Sequence, residues 1–187
     1  MTKLIYKTLN PNTWTDLVEL FGDRGACGGC WCMTMRLSSK AYENNKGDSN
    51  KRKFHNLVKE NQPLGILAYD RDKPIGWCSV SPRETLTRIE NSRYFKRIDD
   101  QPVWSIACFF VLKEFRHEGM SLNLIREASK YAFDQGANII EAYPIIPKKD
   151  RVPEVFAWVG FSSTFKKAGF KVVRQPSETR VMMRLTK

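Results

Sequence analysis

The sequence predicts an α/β (α+β) fold around one mixed sheet, and three observations lead to this prediction. Apolar segments of strand length alternate with segments whose apolar residues recur at helical spacing. The polar turn at 70–74 lies between two apolar runs and predicts a hairpin. A nearly continuous apolar segment at 103–111 leads directly into a glycine-containing turn and an amphipathic helix, which is typical of a buried strand that feeds a ligand-binding turn.

The predicted elements follow one another with short connections. Strands are expected at 4–9, 64–69, 75–80, 103–112, 138–143, 170–174 and 180–185. Helices are expected at 13–21, within 38–61, at 120–135 and, with an irregular first part, at 155–168. The helix at 120–135 has the clearest apolar face, formed by Leu124, Ile125, Ala128, Tyr131 and Ala132.

Length and composition predict one domain over residues 1–187. A chain of 187 residues with 42% hydrophobic and 27% charged residues can bury one substantial core. The sequence contains no run of about eighteen apolar residues and no segment like a signal peptide. We therefore expect a cytoplasmic protein without a membrane partner.

The chain is basic, with 31 Lys and Arg against 20 Asp and Glu and a net charge of +11. Such a charge suits nucleic acid, an acidic surface or a polyanionic cofactor. The basic residues are dispersed and form no run of five or six, and no nucleic-acid-binding motif is present. A solvated basic surface is favoured, and nucleic acid is not an expected partner.

Five cysteines without a secretion signal do not favour structural disulfides. Cys27, Cys30 and Cys32 share one loop, and Cys-x-x-Cys is a spacing of zinc and redox sites. A structural zinc site needs four ligands, whereas His55 and His117 lie far apart in the sequence. No metal is expected, and the three thiols are interpreted as small residues in a tight turn, with a metal or redox module as the alternative.

The turn at 116–121 has the pattern Arg-x-x-Gly-x-Ser and precedes a predicted helix. A helix N-terminus carries unpaired N–H donors and positive potential, and glycine lets a ligand approach the backbone. The turn therefore suggests a ligand with phosphate groups, although many strand-to-helix turns bind nothing.

The motifs together resemble those of the GNAT-superfamily N-acetyltransferases over essentially the whole chain. Residues 110–121 are similar to the cofactor loop of that family, Arg/Gln-x-x-Gly-x-Gly/Ala, and residues 164–170 are similar to its late helix ending in Gly-Phe. Shorter segments resemble an uncharacterised bacterial branch of the superfamily; they are 28–33, 76–78, 81–83, 104–106, 108–111 and 141–144.

The resemblance implies a GNAT-like fold, with a mixed, mostly antiparallel sheet of about six to seven strands flanked by helices. It also implies acetyl-coenzyme A (acetyl-CoA) as cosubstrate, no metal, and direct attack by a primary amine of a small molecule or peptide. The diphosphate of the cofactor would lie on Arg116, His117, Glu118, Gly119, Met120 and Ser121. Its pantetheine arm would follow the strand at 103–112, with backbone N–H groups near Phe109, Phe110 and Val111 polarising the thioester.

Proton transfer is the least determined part of the expected chemistry. The acceptor amine must lose a proton, and Glu141 is the candidate base because it interrupts an apolar strand beside the expected cofactor strand. The alternative is a strand-face glutamate in water or paired with an arginine.

The general acid also stays open. Many family members place a tyrosine at Tyr-x-x-x-Gly-Phe spacing, where this chain has Phe165, which has no proton to donate. Coenzyme A (CoA) would leave as the thiolate or take a proton from water, or another hydroxyl would serve as the acid; the candidates are Ser162, Ser163, Thr164 and Tyr143. The departure supports an alternative function, a non-catalytic CoA-binding or sensor protein of the same fold.

The acceptor site is expected from the loop at 25–33, the strand around Trp77 and the segment 81–97. Trp31, Cys32 and Trp77 are the candidate acceptor-binding residues, and core packing of the two indoles is the alternative. The sequence does not identify the acceptor, and a homodimer stays open.

Overall fold

A computed structural model of the chain describes residues 4–116, 119–148 and 158–187. His117 and Glu118 of the expected cofactor loop, and most of the first part of the helix expected at 155–168, lie outside the described residues.

Seven strands form one mixed sheet, in agreement with the predicted fold. Their bounds are β1 Ile5–Thr8, β2 Gly65–Asp70, β3 Lys73–Pro82, β4 Trp104–Val111, β5 Ile139–Ala142, β6 Lys171–Ser177 and β7 Arg180–Thr186. The spatial order is β1-β2-β3-β4-β5-β7-β6. β4 and β5 pair in parallel, whereas the other neighbouring strands pair antiparallel.

The helices are α1 Trp14–Phe21, α2 Ser39–Glu43, α3 Asp48–Lys59, α4 Thr87–Glu90, α5 Met120–Asp134 and α6 Ser162–Lys167. Of the helix expected at 155–168, the described residues contain the shorter α6. Gly160 has a φ of 78° and Phe161 is extended, so neither residue can continue a helix. Within the described part of the chain, no helix has the length and apolar character needed to cross a membrane.

Two hydrophobic cores cover the two faces of the sheet. One contains the apolar stripe of α5, with Leu124, Ile125, Ala128 and Ala132 buried as predicted and Tyr131 half-buried. The other core lies on the second face of the sheet, under α1, α3 and the loop at 25–33, called the cysteine loop below. It includes Leu17, Phe54 and Trp77. A smaller cluster around α4 covers the second face where β4 and β5 meet; its members are Leu86, Ile89, Phe95, Ala107, Tyr143 and Met182.

A bulge and an early end of pairing distinguish β4 from the other strands. Val80 of β3 pairs with Ile106 while Ser79 pairs with Cys108, so Ala107 is an extra residue that bends β4. Pairing with β5 ends at Ile106 and Ala142. Beyond Ile106, no strand of the described chain pairs with the β4 edge that faces β5.

The cysteine loop depends on a glycine that no other residue can replace without strain. Gly25 has a φ of 57°, and a Cβ at this position would lie 2.3 Å from Nε1 of Trp31. Trp31 and Cys32 also occupy the left-handed region, with φ of 42° and 55°. The loop therefore folds tightly enough to bury the indole of Trp31 against α1 and α3.

We expect Gly25→Ala to destabilise the protein more than Gly28→Ala does. Gly28 has the same φ of 57° with nothing within 4 Å of its Cβ position, so that its substitution tests backbone strain alone, about 1–2 kcal/mol. Gly25→Ala adds an overpacking cost of about 1–3 kcal/mol. Urea denaturation of both variants measures the difference, and equal free energies of unfolding would contradict the packing of Trp31 on Gly25.

Candidate functional site

The start of α5 has the geometry of an anion site. Gly119 precedes the helix with a φ of 77°, and space is open where its Cβ would lie. Its carbonyl accepts hydrogen bonds from the N–H groups of Leu122 and Asn123, so the N–H groups of Met120 and Ser121 point out of the helix end. Arg116 joins the turn to β4, because its Nε donates to the Val111 carbonyl at 2.9 Å.

The β4 strand leads to this turn with side chains fixed on both faces of the sheet. Phe109 packs against Phe165 on the α5 side, with ring centroids 5.9 Å apart. Phe110 packs against Phe21 on the other side, at 5.6 Å. Because these side chains point to the two faces of the sheet, the backbone beyond Ala107 forms the strand edge on the side of β5.

Glu141 is fully buried on β5 and is bound by two arginines. Its Oε2 accepts hydrogen bonds from Nη1 of Arg83 at 2.6 Å and from the Tyr143 hydroxyl at 2.7 Å. Its Oε1 accepts from Nε of Arg184 at 2.8 Å. The sequence suggested a half-buried carboxylate as a proton acceptor, whereas the structure has the alternative arrangement, a glutamate paired with arginine.

The Glu141 network ties several elements to the sheet. Arg83 also donates to Glu90 and to the Phe95 carbonyl, and Arg184 also pairs with Asp99. These contacts hold the segment 83–99 over the second face of the sheet.

Tyr143 connects the same network to β4. Ser105, which pairs with Glu141 in the sheet, lies 2.9 Å from the Tyr143 hydroxyl. Burial, followed by the charge of Glu141, raises the pKa of Tyr143 well above its usual value, so its hydroxyl stays protonated at neutral pH. The Tyr143 proton is directed to Glu141.

Trp31, Cys32 and Trp77, which the sequence suggested as acceptor-binding residues, lie in the core. All three are buried, and Nε1 of Trp77 donates to Sγ of Cys32 at 3.3 Å. The two indoles contact Phe21, and Trp77 also contacts Phe54, because such large apolar surfaces are most stable away from water.

All five cysteines are free thiols. A hydrogen bond with Cys108 lowers the pKa of Cys32 to about 6, helped by the charge of Arg36 and opposed by burial. The same hydrogen bond and burial raise the pKa of Cys108. The described residues include no group of three or more His, Cys, Asp or Glu that could hold a metal ion.

Phe165 is a fully buried core residue of α6 and contacts Phe109 and Phe170. Its ring occupies the position at which many GNAT proteins are expected to have the general acid. The ring thus packs in the core and has no proton to donate.

Sequence reasoning included Arg83 only as part of the segment 81–97, and it missed Arg184 as a partner of Glu141 and Arg36 as a neighbour of Cys32. Arg83 and Glu141 are 58 residues apart and Arg184 follows Glu141 by 43, so no local spacing links them. Arg36 lies in a loop without a recognisable motif. The one available signal was Glu141 itself, since a carboxylate within an apolar strand needs a partner.

A comparison with protein-family models matches residues 31–160 to the acetyltransferase (GNAT) family. The chain belongs to the GNAT acetyltransferase family. This assignment places it among the acyltransferases and confirms the resemblance noted in its motifs. A comparison with curated protein sequences found no match.

Solved structures share the GNAT fold of the chain at low sequence identity. A GNAT acetyltransferase from Listeria monocytogenes has a TM-score of 0.60 and 11% identity, with 100% of this chain and 96% of that chain covered. PaiA N-acetyltransferase from Thermoplasma acidophilum, in complex with coenzyme A, has a TM-score of 0.55 and 16% identity, with both chains fully covered. NAA60 from Arabidopsis thaliana, in complex with acetyl-CoA, has a TM-score of 0.54 and 16% identity over 99% of this chain and 100% of that chain.

We expect Glu141→Ala to lower the free energy of unfolding by about 3–5 kcal/mol, because it leaves buried guanidinium groups without their carboxylate. Glu90→Ala is the matched control, since Glu90 pairs with the same Arg83 but its side chain is 26% exposed. That change should cost less, about 1–3 kcal/mol, because Arg83 keeps Glu141 as a partner and loses one acceptor. Chemical denaturation measures both values, and a Glu141→Ala variant as stable as the control would exclude a central role for this network.

Proposed function

We propose that this GNAT protein is an N-acetyltransferase that moves an acetyl group from acetyl-CoA to a primary amine of a small molecule or peptide. One observation carries the proposal: beyond Ile106 the β4 edge that faces β5 has no partner strand among the described residues, and the chain continues from β4 to the N-terminus of α5. A pantetheine arm contains amides that can bond to a strand edge, and a diphosphate suits a helix N-terminus. Acetyl-CoA combines both groups in one molecule.

The proposed cofactor site follows the order of the chain. The diphosphate binds at the turn formed by Arg116, Gly119, Met120 and Ser121, together with His117 and Glu118. The two solved relatives that contain acetyl-CoA or coenzyme A, from A. thaliana and T. acidophilum, support a cofactor of this class.

The acetyl group lies near Phe109, Phe110 and Val111, just past the bulge at Ala107. A bulge leaves backbone groups out of the regular ladder. An N–H group of this stretch then donates to the thioester oxygen as negative charge develops in the transition state. The amine attacks the carbonyl carbon, the C–S bond breaks, and coenzyme A leaves.

Glu141 is proposed to position the site. Both of its oxygens already accept hydrogen bonds from arginine, so acting as a base would require a donor to be displaced. A proton lost by the amine passes to water, and the leaving thiolate is protonated by water because Phe165 has no proton to give. The sequence-based assignment of Glu141 as the base stays a prediction.

The decisive test combines acetyl-CoA binding with a charge placed at the helix end. We expect Ser121→Glu to weaken acetyl-CoA binding at least tenfold, because the new carboxylate repels the diphosphate. The variant should still fold, since a negative charge near a helix N-terminus stabilises the helix. Lys130→Gln changes the net charge by the same amount about 13 Å further along α5 and should bind normally. Isothermal titration calorimetry measures the affinity of the wild type and of both variants for acetyl-CoA.

Release of free coenzyme A with a panel of amines separates catalysis from binding. An acetyltransferase releases the thiol with at least one amine, whereas a non-catalytic CoA-binding protein, the alternative suggested by Phe165, binds acetyl-CoA without release. Wild-type protein that fails to bind acetyl-CoA at millimolar concentration contradicts both functions.

A further inference from the structure

A cavity of about 370 Å³ lies on the second face of the sheet, between the loop that follows the cysteines, α3 and the turn after β3. Apolar side chains form much of its wall, including Met33, Leu37 and Leu57. Its charged lining residues are Arg36 and Lys53, and none of the described residues that line it is acidic. The cavity therefore favours a partly apolar ligand with negative charge.

Arg36 is the unusual member of this lining. Only 7% of the residue is exposed, yet no carboxylate in the described ranges forms an ion pair with it. Nη1 donates to the Thr85 hydroxyl at 3.2 Å and Nη2 to the Ser81 hydroxyl at 3.1 Å. The buried Nε–H has no hydrogen-bond partner among the described residues.

A second buried arginine shows how this protein otherwise satisfies such a group. Arg83 is completely buried and donates to Glu90, Glu141 and the Phe95 carbonyl. Burial of a charged group without compensation is costly, and carboxylates compensate Arg83. Arg36 is nearly as buried, but its hydrogen-bond partners are hydroxyls, its other charge interaction is with the nearby Cys32 thiol, and its Nε–H has no partner among the described residues. The guanidinium is therefore suited to an anion supplied from outside the protein.

The position of Arg36 relates the cavity to the proposed acetyl site. Its partner Ser81 lies two residues along β3 from Ser79, which pairs with Cys108 beside the bulge. Two residues of a strand span about 7 Å. The Arg36 end of the cavity is thus about two strand residues from the bulge beside which the acetyl group is proposed to lie. Cys32 and Trp77 support this region from behind and do not line the cavity.

We propose that the cavity binds the acceptor, and that the acceptor is a small primary amine with a carboxylate and an apolar body. The carboxylate is held by Arg36, with Lys53 at the same wall, and the apolar body lies against Met33, Leu37 and Leu57. This inference rests on the proposed acetyltransferase function. It narrows the acceptor class from any primary amine to amino-carboxylic acids.

The experiment compares each of the nineteen amino acids that carry a primary amine with its own α-carboxamide, which keeps the amine and the side chain but removes the charge of the α-carboxylate. Initial rates of coenzyme A release with acetyl-CoA give kcat/KM for both members of each pair. We expect at least one acid to exceed its amide by tenfold or more. Arg36→Met should abolish that preference, and Lys53→Met should reduce it.

Arg36→Met is expected to fold, since methionine fills similar apolar space and the Ser81 and Thr85 hydroxyls keep a hydrogen bond to each other at 3.2 Å. Lys59→Met is the matched control, because it removes the same charge from α3 at a residue outside the cavity lining. The control should keep the wild-type preference.

Three results would overturn the inference: amides react as fast as their acids, Arg36→Met keeps the preference, or no amino acid reacts in protein that binds acetyl-CoA. Wild-type protein that does not bind acetyl-CoA instead contradicts the proposed function. In that case, calorimetry with N-acetylamino acids and N-acetylamino acid amides tests the cavity alone. Binding of an acid by the wild type and its loss in Arg36→Met support the carboxylate site, and absence of such binding refutes it.

Discussion

The buried carboxylate of Glu141 is the constraint on which the site depends. It accepts hydrogen bonds from Arg83, Arg184 and Tyr143, and these partners come from the turn after β3, from β7 and from the end of β5. A charge in this position is stable only with all of its partners in place. The network therefore fixes the end of β5 against β4 at the last residues where the two strands pair.

Beyond that point the two strands follow different courses for local reasons. The extra residue Ala107 bends β4, while the chain leaves β5 into Pro144, which has no N–H for a sheet hydrogen bond. The strand β4 then ends close to the turn before α5, where Arg116 holds the turn to Val111. A free strand edge and a helix end are thus neighbours along the chain, which accounts for the cofactor class that we propose.

Much of this arrangement could be predicted from the sequence because it is encoded locally. The apolar run before Val111, the glycine before α5 and the stripe around Leu124 each leave a pattern within a few residues. The contacts of Glu141 with arginine leave no such pattern, since they join residues 43 and 58 positions apart. The indoles of Trp31 and Trp77 show the same limit, because a tryptophan in a pocket wall and one in a core look alike in sequence.

Hydrogen–deuterium exchange of the backbone amides, with and without acetyl-CoA, tests the central claim most directly. If the cofactor adds to the edge of β4 and its diphosphate binds at the start of α5, exchange slows in peptides that cover 107–111 and 119–123. The β6 and β7 hairpin, at the far side of the sheet, should exchange at an unchanged rate. Binding of acetyl-CoA without slower exchange in the β4 peptide would contradict the account.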